Sequence, residues 1–448
     1  MIRSFMIAIY AIEMILMLLY IYNFNKKHNY SPVFNGLAFA FLAYYLIVPI
    51  LIMINLEQLI AVESLKGRYN SSTFTRFIKD GTELDFLYGN FNVCLCALFF
   101  TISYKHIRIH NFVNRNYLII LMKRFGLITF VIGMPSLLLF FRAFGGIGVA
   151  LSYGEILRNM SNSTVAIIGS YALLKVVGRL VTVASILFYG LIIYGMKAVG
   201  YKVLFAISFV FSMLFFLYNA GRAPIIEFVL MFAYERMVNR FHFKRPWTMI
   251  LITGIIGLPI LDLLDAIFVY FQTGTFYMGS PSIYNYITQF STPFKNTLIL
   301  NKFSHEYGFR YGTDFITGVL NLLPGVQFNL PFNDLSEYVR GSSWRSLGGV
   351  PTDFITFCHM EFCFIGVAFF SFLMGMVAKK IDGQITQISN TKLQPFMGAV
   401  LTISFASIVG FTDVSSILMG GFILTIVSFV VILSSGRLVF GSRRNNKI

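Results

Sequence analysis

The chain reads as an all-α, polytopic integral membrane protein, and three observations lead there. Hydrophobic residues make up 57% of its 448 residues and charged residues only 12%, a balance that one soluble core cannot bury without leaving large apolar patches. Mean hydropathy is +0.73. The apolar residues also gather in runs of about 20, the helix length that crosses roughly 30 Å of hydrocarbon, where each backbone polar group must be satisfied internally. The net charge of +16 does not point to nucleic acid, because Lys and Arg fall in short clusters between apolar runs, the pattern that sets membrane orientation.

The first run begins at Phe5, with only Arg3 before it and Lys26 and Lys27 after it. It has no small-residue cleavage site, so a retained span is expected rather than a signal peptide. Further helices are expected near 35–55, 86–104, 125–141, 178–196, 203–219, 223–238, 248–264, 356–378, 395–412 and 415–435, which with 4–23 makes about 11 spans. The apolar stretch 164–178 contains Lys175 and abuts Arg179. An interfacial or re-entrant helix fits it best, and counting it as a full span gives a model of about 12 spans. Residues 1–264 thus form an N-terminal membrane part, 265–355 a long loop, and 356–448 the last three spans with a basic tail, all in one membrane domain.

Orientation follows from the basic clusters. Lys26 and Lys27, the group from Lys105 to Arg124, Lys197 and Lys202, the group from Arg236 to Arg245, Lys379 and Lys380, and the tail Arg443 and Arg444 all fall in alternate connections. The opposite connections are poorer in such residues. This places the richer set in the cytoplasm, and the N-terminus and the 265–355 loop outside. The cysteines Cys94, Cys96, Cys358 and Cys363 lie in or beside apolar runs, so neither a disulfide framework nor a zinc site is indicated. No internal repeat is visible, which speaks against a transporter built from two halves.

Several residues are candidates for chemistry. Arg222 stands in a short turn, YNAGRAP over 218–224, where Gly221 permits an unusual backbone angle and Pro224 suits a first helical turn. Its guanidinium fork suits a phosphate or pyrophosphate, and the bland alternative is an arginine snorkelling to the interface. Lys175 and Arg179 share a helix face and either line a headgroup-accessible cavity or mark a helix end. In the loop, residues 334–353 bring Asp334, Glu337, Arg340, Trp344, Arg345 and Asp353 near Gly348 and Gly349. Arginines there can grip an anion, Trp344 can stack on a sugar, and an acid can take a proton from an attacking hydroxyl. Ordinary solvated ion pairs are the alternative. His359 and Glu361 lie two apart on a helix and so diverge by about 200°. The histidine is therefore more naturally a structural hydrogen-bonding group, while Asp353 and Glu361 are the better bases. The chain has no phosphate-binding glycine-lysine loop, no paired-aspartate motif, no His-Glu-x-x-His and no histidine cluster, so chemistry without a cofactor or metal is expected.

The Gly221-Arg222 turn, the long external loop before the last spans and the Pro/Gly-rich run into the 366–375 helix together resemble the O-antigen polymerases, the Wzy-type oligosaccharide repeat unit polymerases. The resemblance implies an all-helical glycosyltransferase at the periplasmic face of the bacterial inner membrane. Its substrate would be oligosaccharide linked to undecaprenyl pyrophosphate, among membrane lipids, with a chain-length regulator protein as partner and no nucleic acid. Mapped here, Arg222 resembles the family's middle-span arginine, and Arg340 or Arg345 the loop arginine that meets pyrophosphate. Arg179 and Arg142 extend that basic set, and Trp344 with Tyr277 would hold sugar. Asp353, Glu361 and His359 are the implied catalytic candidates for an inverting, metal-independent transfer. One departure is Cys363, where relatives often carry glycine. An O-antigen ligase shares this logic, and a lipid-linked oligosaccharide flippase is the rival from another class.

Overall fold

The computed structural model describes residues 2–27, 31–59, 81–106, 115–151, 171–219, 222–241, 290–321, 331–340, 350–388, 392–412 and 422–435. It also describes scattered positions between 259 and 287 and between 323 and 329, and residue 414. Among these residues the secondary structure is helical, without strands. In chain order the helices are α1 (Ile2–Lys27), α2 (Pro32–Leu42), α3 (Val48–Ile54), α4 (Glu83–His106), α5 (Arg115–Ala143), α6 (Ala172–Gly178), α7 (Leu180–Tyr194) and α8 (Val199–Tyr218). There follow α9 (Arg222–Phe241), α10 (Thr292–Tyr307), α11 (Thr313–Leu320), α12 (Pro331–Arg340), α13 (Phe354–Thr386), α14 (Leu393–Gly410) and α15 (Ile423–Ser435).

Eight helical segments are long and apolar enough to cross a membrane, and two shorter apolar ones, Pro224–Tyr234 and Ile423–Leu433, accompany them. The expected span at 248–264 lies largely outside the described residues. The eight match expected spans, with α13 running to Thr386 rather than to 378 and the α6–α7 segment beginning at 173 rather than 178. α2 and α3 make one span joined by a π turn over Ala43–Ile47. Pro49 explains it, because a proline in a helix removes a bond to the carbonyl four residues back, here Tyr45, and the wider turn absorbs the clash.

Small residues set the closest helix crossings, as expected where packing rather than water drives association. A Cβ on Gly375 would lie 2.5 Å from the Phe100 carbonyl oxygen, which brings α13 against α4. A Cβ on Gly36 would lie 2.9 Å from the Thr402 carbonyl oxygen, joining α2 to α14. Polar anchors fix the ends. Asp382 accepts hydrogen bonds from the backbone N–H of Val33 (2.8 Å) and Phe34 (3.0 Å) and from the Tyr104 hydroxyl (2.7 Å), capping α2 from α13. At the other end the Arg3 guanidinium donates to the carbonyls of Met53 and Ile54, and Thr412 N–H donates to Thr352 (2.8 Å).

The segment expected as a long loop carries helices α10, α11 and α12 where described, and it is keyed into the bundle. α10 buries Phe294, Leu298 and Leu300, and Phe294 meets the ring of Tyr10 on α1 edge to face at 5.9 Å. Gly89 on α4 lets the Thr297 backbone approach, and Lys302 pairs with Asp85 at 2.9 Å.

Candidate active site at a broken helix

α13 is interrupted near its start. Phe362 leaves helical geometry (φ −143°) and Cys363 adopts φ 55°, ψ −145°, a region that only glycine enters without strain. The break frees carbonyls that would otherwise be bonded within the helix. The segment before α11 fills the gap: Arg310 N–H donates to the Met360 carbonyl and Tyr311 N–H to the Glu361 carbonyl, each at 3.0 Å. Gly312 N–H then donates to Glu361 Oε2 at 2.6 Å. Gly312 is the N-cap of α11 with φ 84°, so the Glu361 carboxyl lies at a helix N-terminus, where negative charge is favoured.

Asp314, in the first turn of α11, is buried and in hydrogen-bond contact with Glu361. Its Oδ1 accepts from Arg310 Nη1 at 2.8 Å. Arg310 also donates to Asp334 on α12 and to the Asn329 carbonyl (3.3 Å), and Asn329 donates to Asp334. One arginine thus ties three loop elements to a carboxyl pair at the seam with the membrane helix. Asp314 and Glu361 thus set two carboxyl groups side by side next to the Arg310 guanidinium.

The three expected catalytic residues point to three different neighbours. Asp353 is the N-cap of α13. It is fully buried and accepts from Tyr45 Oη, from Asn296 Nδ2 (3.0 Å) and from Thr356 N–H (3.2 Å). Burial pushes its carboxyl above the usual carboxylate range, against the pull of those donors. His359 is also buried, with Nε2 2.9 Å from the Tyr88 hydroxyl and Nδ1 3.3 Å from Ser304 Oγ. Both ring nitrogens are therefore engaged, as expected for a structural histidine. Only Glu361 reaches the acid–arginine cluster, so His359 and Glu361 diverge as their spacing requires.

The basic candidates separate as well. Arg179 forms the turn between α6 and α7. It is buried, its guanidinium 5.5 Å from the centre of the Phe422 ring. Lys175 Nζ lies 5.4 Å from the Tyr218 ring centre, and Glu227 on α9 interacts electrostatically with Arg179. Arg179 is thus packed inside the bundle at the end of α6, and Lys175 is half-buried beside it. Arg142 is exposed near the end of α5. Arg222 and Arg340 begin α9 and end α12, but their side chains lie outside the described residues, as do Trp344, Arg345 and Tyr277 altogether.

The sequence reading did not single out Arg310 and Asp314, nor Asn296 and Tyr45. Arg310 and Asp314 carried a signal, an i, i+4 ion pair framed by Gly308 and Gly312. Tyr45 and Asn296 carried none, since their partner lies far along the chain. Comparison of the chain with protein-family models, with curated proteins and with solved structures gave no match.

Proposed function

We propose that the chain is a membrane glycosyltransferase that polymerises oligosaccharide repeat units carried on undecaprenyl pyrophosphate, working at the periplasmic face of a bacterial inner membrane. The observation that carries the reading is Arg179, buried at the turn into α7 with Lys175 one helical turn before it and Glu227 as its electrostatic neighbour. Cations held inside a membrane bundle are expensive and mark sites for anions. The pair enters α7 at the end of the bundle to which the 265–355 segment belongs, as does Arg222, the residue that resembles the family's middle-span arginine.

In this reading Lys175, Arg179 and Arg222 hold the pyrophosphate, and Arg340 or Arg345 closes on it from the loop. As the acceptor hydroxyl attacks the anomeric carbon, the bond from that carbon to the pyrophosphate oxygen breaks. Fixed cations stabilise the departing charge. The hydroxyl proton passes to a carboxylate, and Glu361 is the assigned acceptor, because Asp353 caps a helix and His359 has both nitrogens engaged. Arg142 extends the pyrophosphate-binding set, Trp344 and Tyr277 are assigned to the sugars, and a chain-length regulator is the proposed protein partner.

The test is Arg179→Ala and Arg222→Ala in cells, each confirmed to insert at normal levels. Loss of long polysaccharide with accumulation of single-repeat glycan on the lipid carrier at the outer face supports polymerisation. Undiminished long chains overturn the enzyme reading. Failure of single repeats to reach the outer face identifies a flippase, and normal-length polymer that stays on the carrier identifies a ligase. Affinity for undecaprenyl pyrophosphate in the purified Arg179→Ala variant should fall at least about 30-fold, the consequence of losing about 2 kcal/mol from a buried charge contact.

A further inference from the structure

α11 is amphipathic in the opposite sense to a surface helix in water. Asp314 (1% exposed) and the buried Gly318 face the protein, while Phe315 (38%), Ile316 (65%) and Val319 (51%) face outward. The apolar surface continues past the helix through Leu323 and Phe328, each 45% exposed, and begins before it with Tyr311 at 70%. A helix packed on a core in water turns its apolar stripe inward, and contiguous exposed apolar surface marks contact with something other than water.

The neighbouring helix shows what that contact is. The Phe315 ring lies 5.4 Å from that of Phe370 on α13, and the Tyr311 ring 6.4 Å from that of Phe362. On α13, one of the helices apolar enough to cross a membrane, Ile365 and Phe369 are 77% and 55% exposed. The outer surface of α11 is thus continuous with the lipid-facing surface of a span. Its charged residues are gathered underneath, where Arg310 pairs with Asp314 and Asp334.

We propose that α11, with Leu323 and Phe328 beyond it, lies in the bilayer interface, with lipid acyl chains covering Ile316, Val319, Leu323 and Phe328. The segment is then a membrane-anchored floor instead of a loop in water, and it holds the Glu361–Asp314–Arg310 cluster near headgroup depth, open to ligands arriving sideways from lipid. Interfacial helices of this kind bury their apolar face about 5–10 Å into the headgroup–acyl boundary. The inference concerns placement and stands apart from the proposed reaction.

Depth-dependent fluorescence tests it. In full-length protein with Trp247→Phe and Trp344→Phe, single tryptophans are introduced as Ile316→Trp, Val319→Trp and, on α12, Glu337→Trp. Each variant must elute as the parent does before reconstitution into phosphatidylcholine vesicles with or without bromine on the acyl chains. Ile316→Trp and Val319→Trp are expected to lose most of their emission to brominated lipid and to emit at shorter wavelength, while Glu337→Trp is quenched by aqueous iodide. Quenching of positions 316 and 319 by iodide, with no effect of brominated lipid, overturns the proposal. Protection from both quenchers together with cross-linked dimers also overturns it, assigning the face to a second copy of the chain.

Discussion

Asp353 combines an N-cap with two buried side-chain donors, so its loss should be felt as instability. Asp353→Ala removes a cap worth about 1 kcal/mol and leaves Tyr45 and Asn296 donors without their carboxyl, at about 1–3 kcal/mol each. A fall of about 3–7 kcal/mol in unfolding free energy is expected, read by denaturant titration in detergent. The Asp353→Asn variant adds a test of sign. Burial raises the folded-state value of Asp353 above that of the unfolded chain, so its contribution is fully present below the unfolded value and is lost as pH rises through the folded one. The stability of wild type relative to Asp353→Asn should therefore decline as pH climbs through and above the ordinary carboxylate range near 4, and a flat difference would refute the assignment. Glu361→Gln should behave otherwise: its amide oxygen still accepts from Gly312 N–H and its NH₂ can donate to Asp314, so stability should change by less than about 1 kcal/mol. Loss of polymer from that stably inserted variant would mark Glu361 as the proton acceptor. Residue types and spacing made Asp353, His359 and Glu361 visible in the sequence as a set, and also the divergence of the last two. What remained invisible was which acid is absorbed by capping, because Tyr45 and Asn296 reach Asp353 only through the tertiary fold.

At the scale of elements, the break in α13 creates the site, since an unbroken helix would offer no free carbonyl to Arg310 and Tyr311. Cys363 holds it in a backbone region that costs a non-glycine residue about 1–3 kcal/mol. Cys363→Gly should therefore raise the unfolding free energy by about 1 kcal/mol and leave His359 bonded to Tyr88 and Ser304. A fall instead would show that the contact of Cys363 Sγ with His359 Nε2, 3.7 Å in length, outweighs the strain. Gly366 follows with a Cβ position only 2.1 Å from the Cys358 carbonyl oxygen, so Gly366→Ala has no room without opening the break. The sequence showed eight of the expected spans because twenty-residue apolar runs allow few alternatives in a membrane. Pro49 carried a signal for the π turn that the sequence reading did not use. The sequence concealed the α13 break, because neither Phe362 nor Cys363 is a helix-breaking residue type and apolar residues continue beyond them. The helices of the 265–355 segment were concealed too, because their apolar residues are spread among turns and α11 faces them outward.

For the whole molecule, the helix ends sort into two sides, and the basic residues follow them. Arg3 reaches the end of α3, Thr352 meets Thr412 beyond α14, and α10 joins the start of α4 through Lys302 and Asp85, so these points lie at one end of the bundle. Asp382 reaches the start of α2, placing the second half of α13, with Lys379 and Lys380, at the other. Passing along α7 and α8 puts Lys197 and Lys202 on that second end, and the 265–355 segment with its acid–arginine cluster on the first. Clustered Lys and Arg in short connections are retained in the cytoplasm, so the cluster should face outward. Single cysteines in a chain with Cys94, Cys96, Cys358 and Cys363 replaced by alanine give the measurement in intact cells. A membrane-impermeant maleimide should label Gly146→Cys and Glu337→Cys directly, and Lys197→Cys and Gln387→Cys only after the cells are opened. The reverse pattern would put the Glu361 cluster in the cytoplasm, beyond reach of glycans displayed outside, and with it the proposed reaction would fall.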